Sequence, residues 1–357
     1  MKSASTHRRG PILGLFATLA VLSAGAMGGC ETDILIELDP PGESDDDGVT
    51  AASCDKLHQG DLNLSNAPPA GLVSLCGVTG NLTLSHPTNK DAAKQAKNIK
   101  LVQGNLIYAD TYGQNAETLQ KLQTVEGDVT IQGCITAGLS SLTSIGGNLV
   151  VTHNKCDLSG LNSLKRVNGN VQLNAKNAKL TSLERIDGDL NVSYLRDNTL
   201  TGLGNLKTIG KSLRLGGQLS SIAALSGLRS VGHHLVINGG KFTSLTALSG
   251  VTSWGASVKD FTVQVQNSHG LTKLDGLDGL TKVGRLTVQT NYNMKSMAIP
   301  NLTEVGHLKI RYNKLLASVS MPKVKVISSM YVCKNAMSAQ QEAELYKKFG
   351  GDQQPCN

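Results

Sequence analysis

Apolar residues recur along this chain in two alternating registers. In the first, two apolar residues stand two apart behind a glycine and an Asp or Asn. Residues 60–64 read G-D-L-N-L, 80–84 G-N-L-T-L and 147–151 G-N-L-V-V. Residues two apart point to the same side of a strand, so each phrase predicts a short strand with one apolar side. Glycine is expected to supply a positive φ at a tight corner, and the Asp or Asn to bond its own backbone through the turn. In the second register apolar residues fall at every third position, as at Leu180, Leu183 and Ile186, or at Leu271, Leu274, Leu277, Leu280 and Val283. An amphipathic helix needs mixed steps of three and four, so this spacing predicts short bends that return an apolar residue inward.

The phrase occurs seven times in succession, ending at 188–192. Six looser copies follow, centred on Leu213, Leu235, Phe261, Leu286, Leu308 and Met330. Counted from Leu62, the steps between copies are 20, 24, 23, 20, 22, 19, 23, 22, 26, 25, 22 and 22 residues. A period in the low twenties is the signature of a solenoid. The expectation is a single, mainly β stack of about thirteen rungs with one parallel strand per turn. At ~4.8 Å between strands it would be roughly 60 Å long.

Residues 308–315, L-K-I-R-Y-N-K-L, also fit the leucine-rich pattern L-x-L-x-x-N-x-L, as 286–291 do in part. The G-[ND]-L-x-[IV] opening and the L-x-x-L-x-x-[VI]-x-G approach resemble the receptor L domain over roughly residues 55–335. That resemblance implies a right-handed parallel β-helix and a binding or recognition role. It brings no catalytic residues. The cysteine-rich modules that separate paired lobes in animal receptors are absent, so signalling is not implied.

The ends carry different information. Lys2, Arg8 and Arg9 precede an apolar run from Ile12 to Met27, which reads as a signal peptide over residues 1–29. Met27-Gly28-Gly29-Cys30 resembles a bacterial lipobox, which predicts lipidation of Cys30 and a membrane-attached N-terminus. Residues 30–52 read as an acidic, disordered tether, with eight acids, no bases and Pro40-Pro41. Removing three signal bases from 34 leaves 31, and removing eight tether acids from 27 leaves 19, so the body at 53–357 carries about +12. At the other end, Ser338 and Gln341 form the pattern of a capping box. A helix over 339–349 should follow, with Leu345 and Phe349 covering the open core before Gly350.

Seven cysteines are present. With Cys30 set aside, three local pairs are expected: Cys54 with Cys76, Cys134 with Cys156, and Cys333 with Cys356. Six cysteines without a C-x-x-C motif fit an oxidising compartment rather than zinc or thioredoxin-type chemistry. Two insertions break the rhythm. Residues 87–100 carry Lys90, Lys94, Lys97 and Lys100 and predict a short surface helix, and 251–258 hold the single Trp254.

Little in the sequence points to catalysis. Polysaccharide-cleaving β-helices group carboxylates or basic residues on outward strand positions of adjacent rungs. None of the thirteen outward middle positions is acidic, from Asn63 through Thr262 and Thr287 to Tyr331. His233 and His234 are expected to face opposite sides of a strand, which weighs against a metal. No phosphate loop or G-x-S-x-G elbow occurs. Aromatics make up 3% of residues, which weakens both nucleic-acid stacking and sugar-platform readings. No cofactor is expected.

The candidate ligand face is Thr287, Tyr292, Lys309, Arg311, Tyr312 and Tyr331, a polar strip near the C-terminal end. The reading is of a monomeric, non-enzymatic lipoprotein of the bacterial cell envelope, at the outer membrane or cell surface, that binds a protein or an anionic glycan. Its competitors are a structural envelope component without a discrete ligand and, third, a β-helical carbohydrate-active enzyme.

Overall fold

A computed structural model describes residues 54–350, apart from 66–70, 86–94, 110–117, 134–137, 153–157, 193–194, 196–197 and 256–260. Cys30, the expected signal and tether, Cys134, Cys156 and Cys356 lie outside the described residues. The described residues all belong to the compact unit Asp47–Asn357.

The five-residue phrases form one thirteen-stranded parallel sheet, running from Leu62–Asn63 to Val326–Cys333. Each inner strand bonds to the strands one turn before and one turn after it. The fold is therefore the expected β-solenoid, and its strands are numbered here as rungs 1 to 13. The register follows the sequence phrases closely. Leu62 stands opposite Leu82, Val129 opposite Leu149, Leu190 opposite Leu213, and Leu308 opposite Met330.

Rung 10 departs from the expected centre. Leu235 pairs with Val263, and Val263 with Leu286, so the rung is not centred on Phe261 and its outward middle residue is Gln264 rather than Thr262. Phe261 and Val263 are both apolar and two apart, and a period of two cannot separate those registers. Phe261 is buried beside Trp254, with ring centroids 6.1 Å apart.

A second sheet was not expected. Ten two-residue strands, from Leu57–His58 to Ser253–Trp254, run just ahead of the glycine corner. They stack the apolar residue that precedes it: Val125 on Ile145, Ile145 on Val167, and Val167 on Ile186. Backbone groups on both sides of the corner need partners, and the turn above supplies them on both sides. At rungs 11 to 13 the corner straightens. The two strands merge into eight-residue strands, Lys282–Gln289, Glu304–Arg311 and Val326–Cys333. A third sheet of three short strands accompanies them on another side.

The every-third residues point inward as expected. Leu180, Leu183, Ile186, Leu271, Leu274, Leu277, Leu280 and Val283 are all fully buried. Each such burial is worth about 2 kcal/mol.

The corner works differently from its expectation. Among the seven corner glycines only Gly60 has a positive φ, 84°. The others lie directly over one another. A Cβ on Gly104 would sit 2.5 Å from the carbonyl carbon of Gly80, and one on Gly188 2.5 Å from that of Gly169. Glycine is needed because neighbouring turns pack backbone on backbone. The Asp and Asn residues bond to the next turn rather than to their own. Asp61 Oδ1 accepts the Asn81 amide at 2.8 Å, Asn81 the Asn105 amide, Asn105 the Asp128 amide, and Asp128 the Asn148 amide. The ladder continues through Asn148, Asn170 and Asp189 to Ser212. The Ser212 hydroxyl then accepts from the His234 amide, and His234 Nδ1 from the Thr262 amide at 3.1 Å. His233 and His234 precede their strand, so their rings lie 3.7 Å apart instead of on opposite faces.

Helix α1, Ala339–Phe349, closes the C-terminal end with the expected capping box and a left-handed Gly350. The buried residues are Tyr346 and Phe349, whereas Leu345 is only half-buried. Tyr346 matters because its hydroxyl accepts the Val332 amide at 2.9 Å, filling a place that a fourteenth strand would take. At the first turns, Cys54 and Cys76 form the expected disulfide, with Cα atoms 5.6 Å apart. Cys333 is buried and disulfide-bonded. In the first insertion, the described part holds the α-helical Gln95 followed by a 3-10 turn, Ala96–Asn98, with Ala96 buried. Among the described residues no helix is long and apolar enough to cross a membrane.

Candidate functional site

The glycine-corner ladder stops at rung 10, and a different corner takes over on the far side of the strand. There Asn267, Thr290, Tyr312 and Lys334, none of them glycine, all have positive φ, between 53° and 58°. A β-branched residue such as Thr290 is an outlier in that region. The strain is offset by the next residue of each turn. Asn291, Asn313 and Asn335 each donate a side-chain N–H to a carbonyl one turn back, those of Val265, Val288 and Ile310, at 3.0 Å. Their side-chain oxygens accept the amides of Ser268, Asn291 and Asn313. This ladder, buried at Asn291 and Asn313, holds the trailing corner rigid. It rests on the asparagine of the leucine-rich pattern at 308–315.

Two rows of side chains cross the outward face just before that corner. Register aligns Gln264, Thr287, Lys309 and Tyr331 in one row, and Gln266, Gln289, Arg311 and Cys333 in the other. The second row is bonded from Gln266 to Arg311. Gln289 Nε2 donates to Gln266 Oε1 at 2.9 Å, and Arg311 Nε donates to Gln289 Oε1 at 3.1 Å. The guanidinium is thereby oriented with one donor used and four left.

The six expected site residues do not act as one strip. Thr287 is buried, 8% exposed, because the longer Gln264 and Lys309 flank its short side chain on both sides. Lys309, Arg311 and Tyr331 are half-exposed neighbours on one face. Tyr292 and Tyr312 lie around the corner. Tyr292 is stacked on His269 at 4.7 Å and carries the Lys314 ammonium at 4.7 Å. Tyr312 is flanked by Arg311 at 5.3 Å and Lys334 at 5.1 Å. Tyr331 differs: among the described residues no ring or cation lies against it.

Sequence reasoning missed Gln266, Gln289, His269, Lys314 and Lys334. The signal was present, since each lies one or two periods from a residue already singled out.

Charge is lopsided here. Residues 286–292, 308–314 and 330–336 hold four cations, Lys309, Arg311, Lys314 and Lys334, and no acid. Elsewhere cations do find carboxylates: Arg166 and Arg185 share Asp187, Lys273 meets Asp275 at 2.8 Å, and Lys282 meets Glu304 at 3.2 Å. None of the four cations at the corner has a carboxylate partner among the described residues. Nor do the described residues include a cluster of three or more His, Cys, Asp or Glu that would hold a metal. No protein-family model matches the chain, and no curated protein matches it significantly.

Proposed function

We propose that this chain is a non-enzymatic lipoprotein of the bacterial cell envelope, related in kind to receptor L domains, that binds a protein or glycan through its outward solenoid face. The observation that carries this reading is the trailing corner of rungs 10 to 13. Backbone strain is stored there under a buried asparagine ladder, beneath a face whose cations lack carboxylate partners among the described residues. Strained, rigid backbone concentrates where a molecule presents a fixed surface. Uncompensated charge on such a surface favours an anionic partner.

Attachment through Cys30 is tested by Cys30→Ala, which should move the protein from the membrane to the soluble fraction on detergent partitioning. A variant that stays with the membrane sinks the lipoprotein reading. Non-reducing peptide mapping of the mature protein should return Cys134 with Cys156 and Cys333 with Cys356. Binding itself is tested by adding the purified protein to isolated bacterial envelopes, where retention that falls with salt is expected.

A further inference from the structure

We infer that the face of rungs 12 and 13 is a subsite for an acidic saccharide, with Tyr331 as the platform for a sugar ring and Lys309 and Arg311 as the contacts for its carboxylate or sulfate. This rests on the binding role proposed above and names its ligand class.

Three observations converge. First, Lys309 and Arg311 are two apart on one strand, so both project to the same side, and Tyr331 stands in register beside Lys309, ~4.8 Å away. Second, Tyr331 is the one tyrosine of the cluster whose ring is unengaged among the described residues; Tyr292 and Tyr312 are occupied by His269, Lys314, Arg311 and Lys334. Third, Arg311 is held by Gln289, which is itself bonded to Gln266, so its remaining donors are aimed before a ligand arrives. A ring with one polar edge suits a saccharide, whose apolar face lies on an aromatic while its hydroxyls take amide and phenol hydrogen bonds.

Other polymers fit less well. Single-stranded nucleic acid binds by stacking successive bases on a series of open rings, and among the described residues of this face only one ring is open. A protein partner wants an apolar centre to its interface. The exposed large apolar side chains among the described residues, Val73, Ile107, Tyr292 and Leu315, form no patch on this face. A neutral sugar would leave both cations uncompensated.

The experiment is calorimetric titration of the full-length protein in detergent with four probes: oligogalacturonate, a heparin-type sulfated oligosaccharide, neutral dextran oligomers and inorganic polyphosphate. At least one acidic saccharide should bind and dextran should not. Tyr331→Ala and the pair Lys309→Gln with Arg311→Gln should each weaken that binding about tenfold, while Tyr331→Phe retains it. Urea unfolding of each variant separates loss of contact from loss of fold. If polyphosphate binds as tightly as the saccharides and Tyr331→Ala changes nothing, the face is a general anion patch and the inference is overturned. If no saccharide binds but isolated envelopes still retain the protein, this inference fails while the broader binding role stands. Failure of both removes the broader role as well.

Discussion

The Asn313 side-chain oxygen accepts two hydrogen bonds from Asn291 one turn earlier, from its backbone amide at 3.0 Å and from its side-chain amide at 3.2 Å. Both residues are completely buried. The same Asn313 side chain donates to the Val288 carbonyl, so one residue satisfies three buried groups.

Asn313→Ala therefore leaves several buried groups without partners, at about 1–3 kcal/mol each, and should lower stability by roughly 3 kcal/mol or more. Asn148→Ala, at the partly exposed glycine corner, should cost only about 1 kcal/mol because water replaces its bond to Asn170. Urea unfolding of the two variants compares them directly. Equal losses would mean that the buried ladder is no stronger than the exposed one.

The two kinds of corner glycine make opposite demands. Gly60 has open space around it and a positive φ, whereas a Cβ at Gly147 would lie 2.7 Å from the carbonyl carbon of Gly127. Asparagine tolerates left-handed backbone, so Gly60→Asn should change stability by under about 1 kcal/mol. Gly147→Asn forces two turns apart and should cost about 1–3 kcal/mol or prevent folding. Thermal unfolding with soluble-yield measurements would show the contrast, and similar behaviour of the two variants would contradict the packing account.

At the cap, Tyr346→Phe keeps the buried ring and deletes only the hydroxyl that meets Val332. The expected loss is about 1–2 kcal/mol. An unblocked edge strand also invites pairing between molecules. Light scattering should show association that rises with protein concentration in the variant and not in the parent, and a monodisperse variant would remove the blocking role.

Burial pushes the Glu342 carboxyl above its usual pKa of 4.5. A folded-state pKa that is raised means the folded form holds the proton more tightly, so this group favours folding at low pH and that contribution is lost as pH rises above the usual value. Glu342→Gln should accordingly match the parent near pH 4 and be slightly more stable at pH 7, within about 0.5 kcal/mol. Melting temperatures across pH 4 to 7 test the sign. A variant less stable at pH 7 would show that favourable interaction with the N-terminal end of α1 outweighs desolvation.

The repeat itself was written in the linear pattern. Glycine spacing, apolar pairs two apart and leucines three apart specify a stack of parallel strands, because each is a local rule that every turn repeats. The capping box at Ser338 and Gln341 and the Cys54 to Cys76 pair were legible for the same reason. What the chain order could not convey is what one turn does to the next. The second sheet, the backbone contact that makes Gly147 obligatory, and the bond from Asn148 to Asp128 exist only once turns lie about 4.8 Å apart. Rung 10 shows the limit plainly, since Phe261 and Val263 satisfy the same period and only pairing with Leu235 chooses between them. The candidate face followed the same division. Lys309 and Arg311 could be read as outward from their spacing, but the covering of Thr287 and the engagement of Tyr292 and Tyr312 depend on side chains one period away. Tertiary packing therefore decided which tyrosines are engaged by neighbours among the described residues.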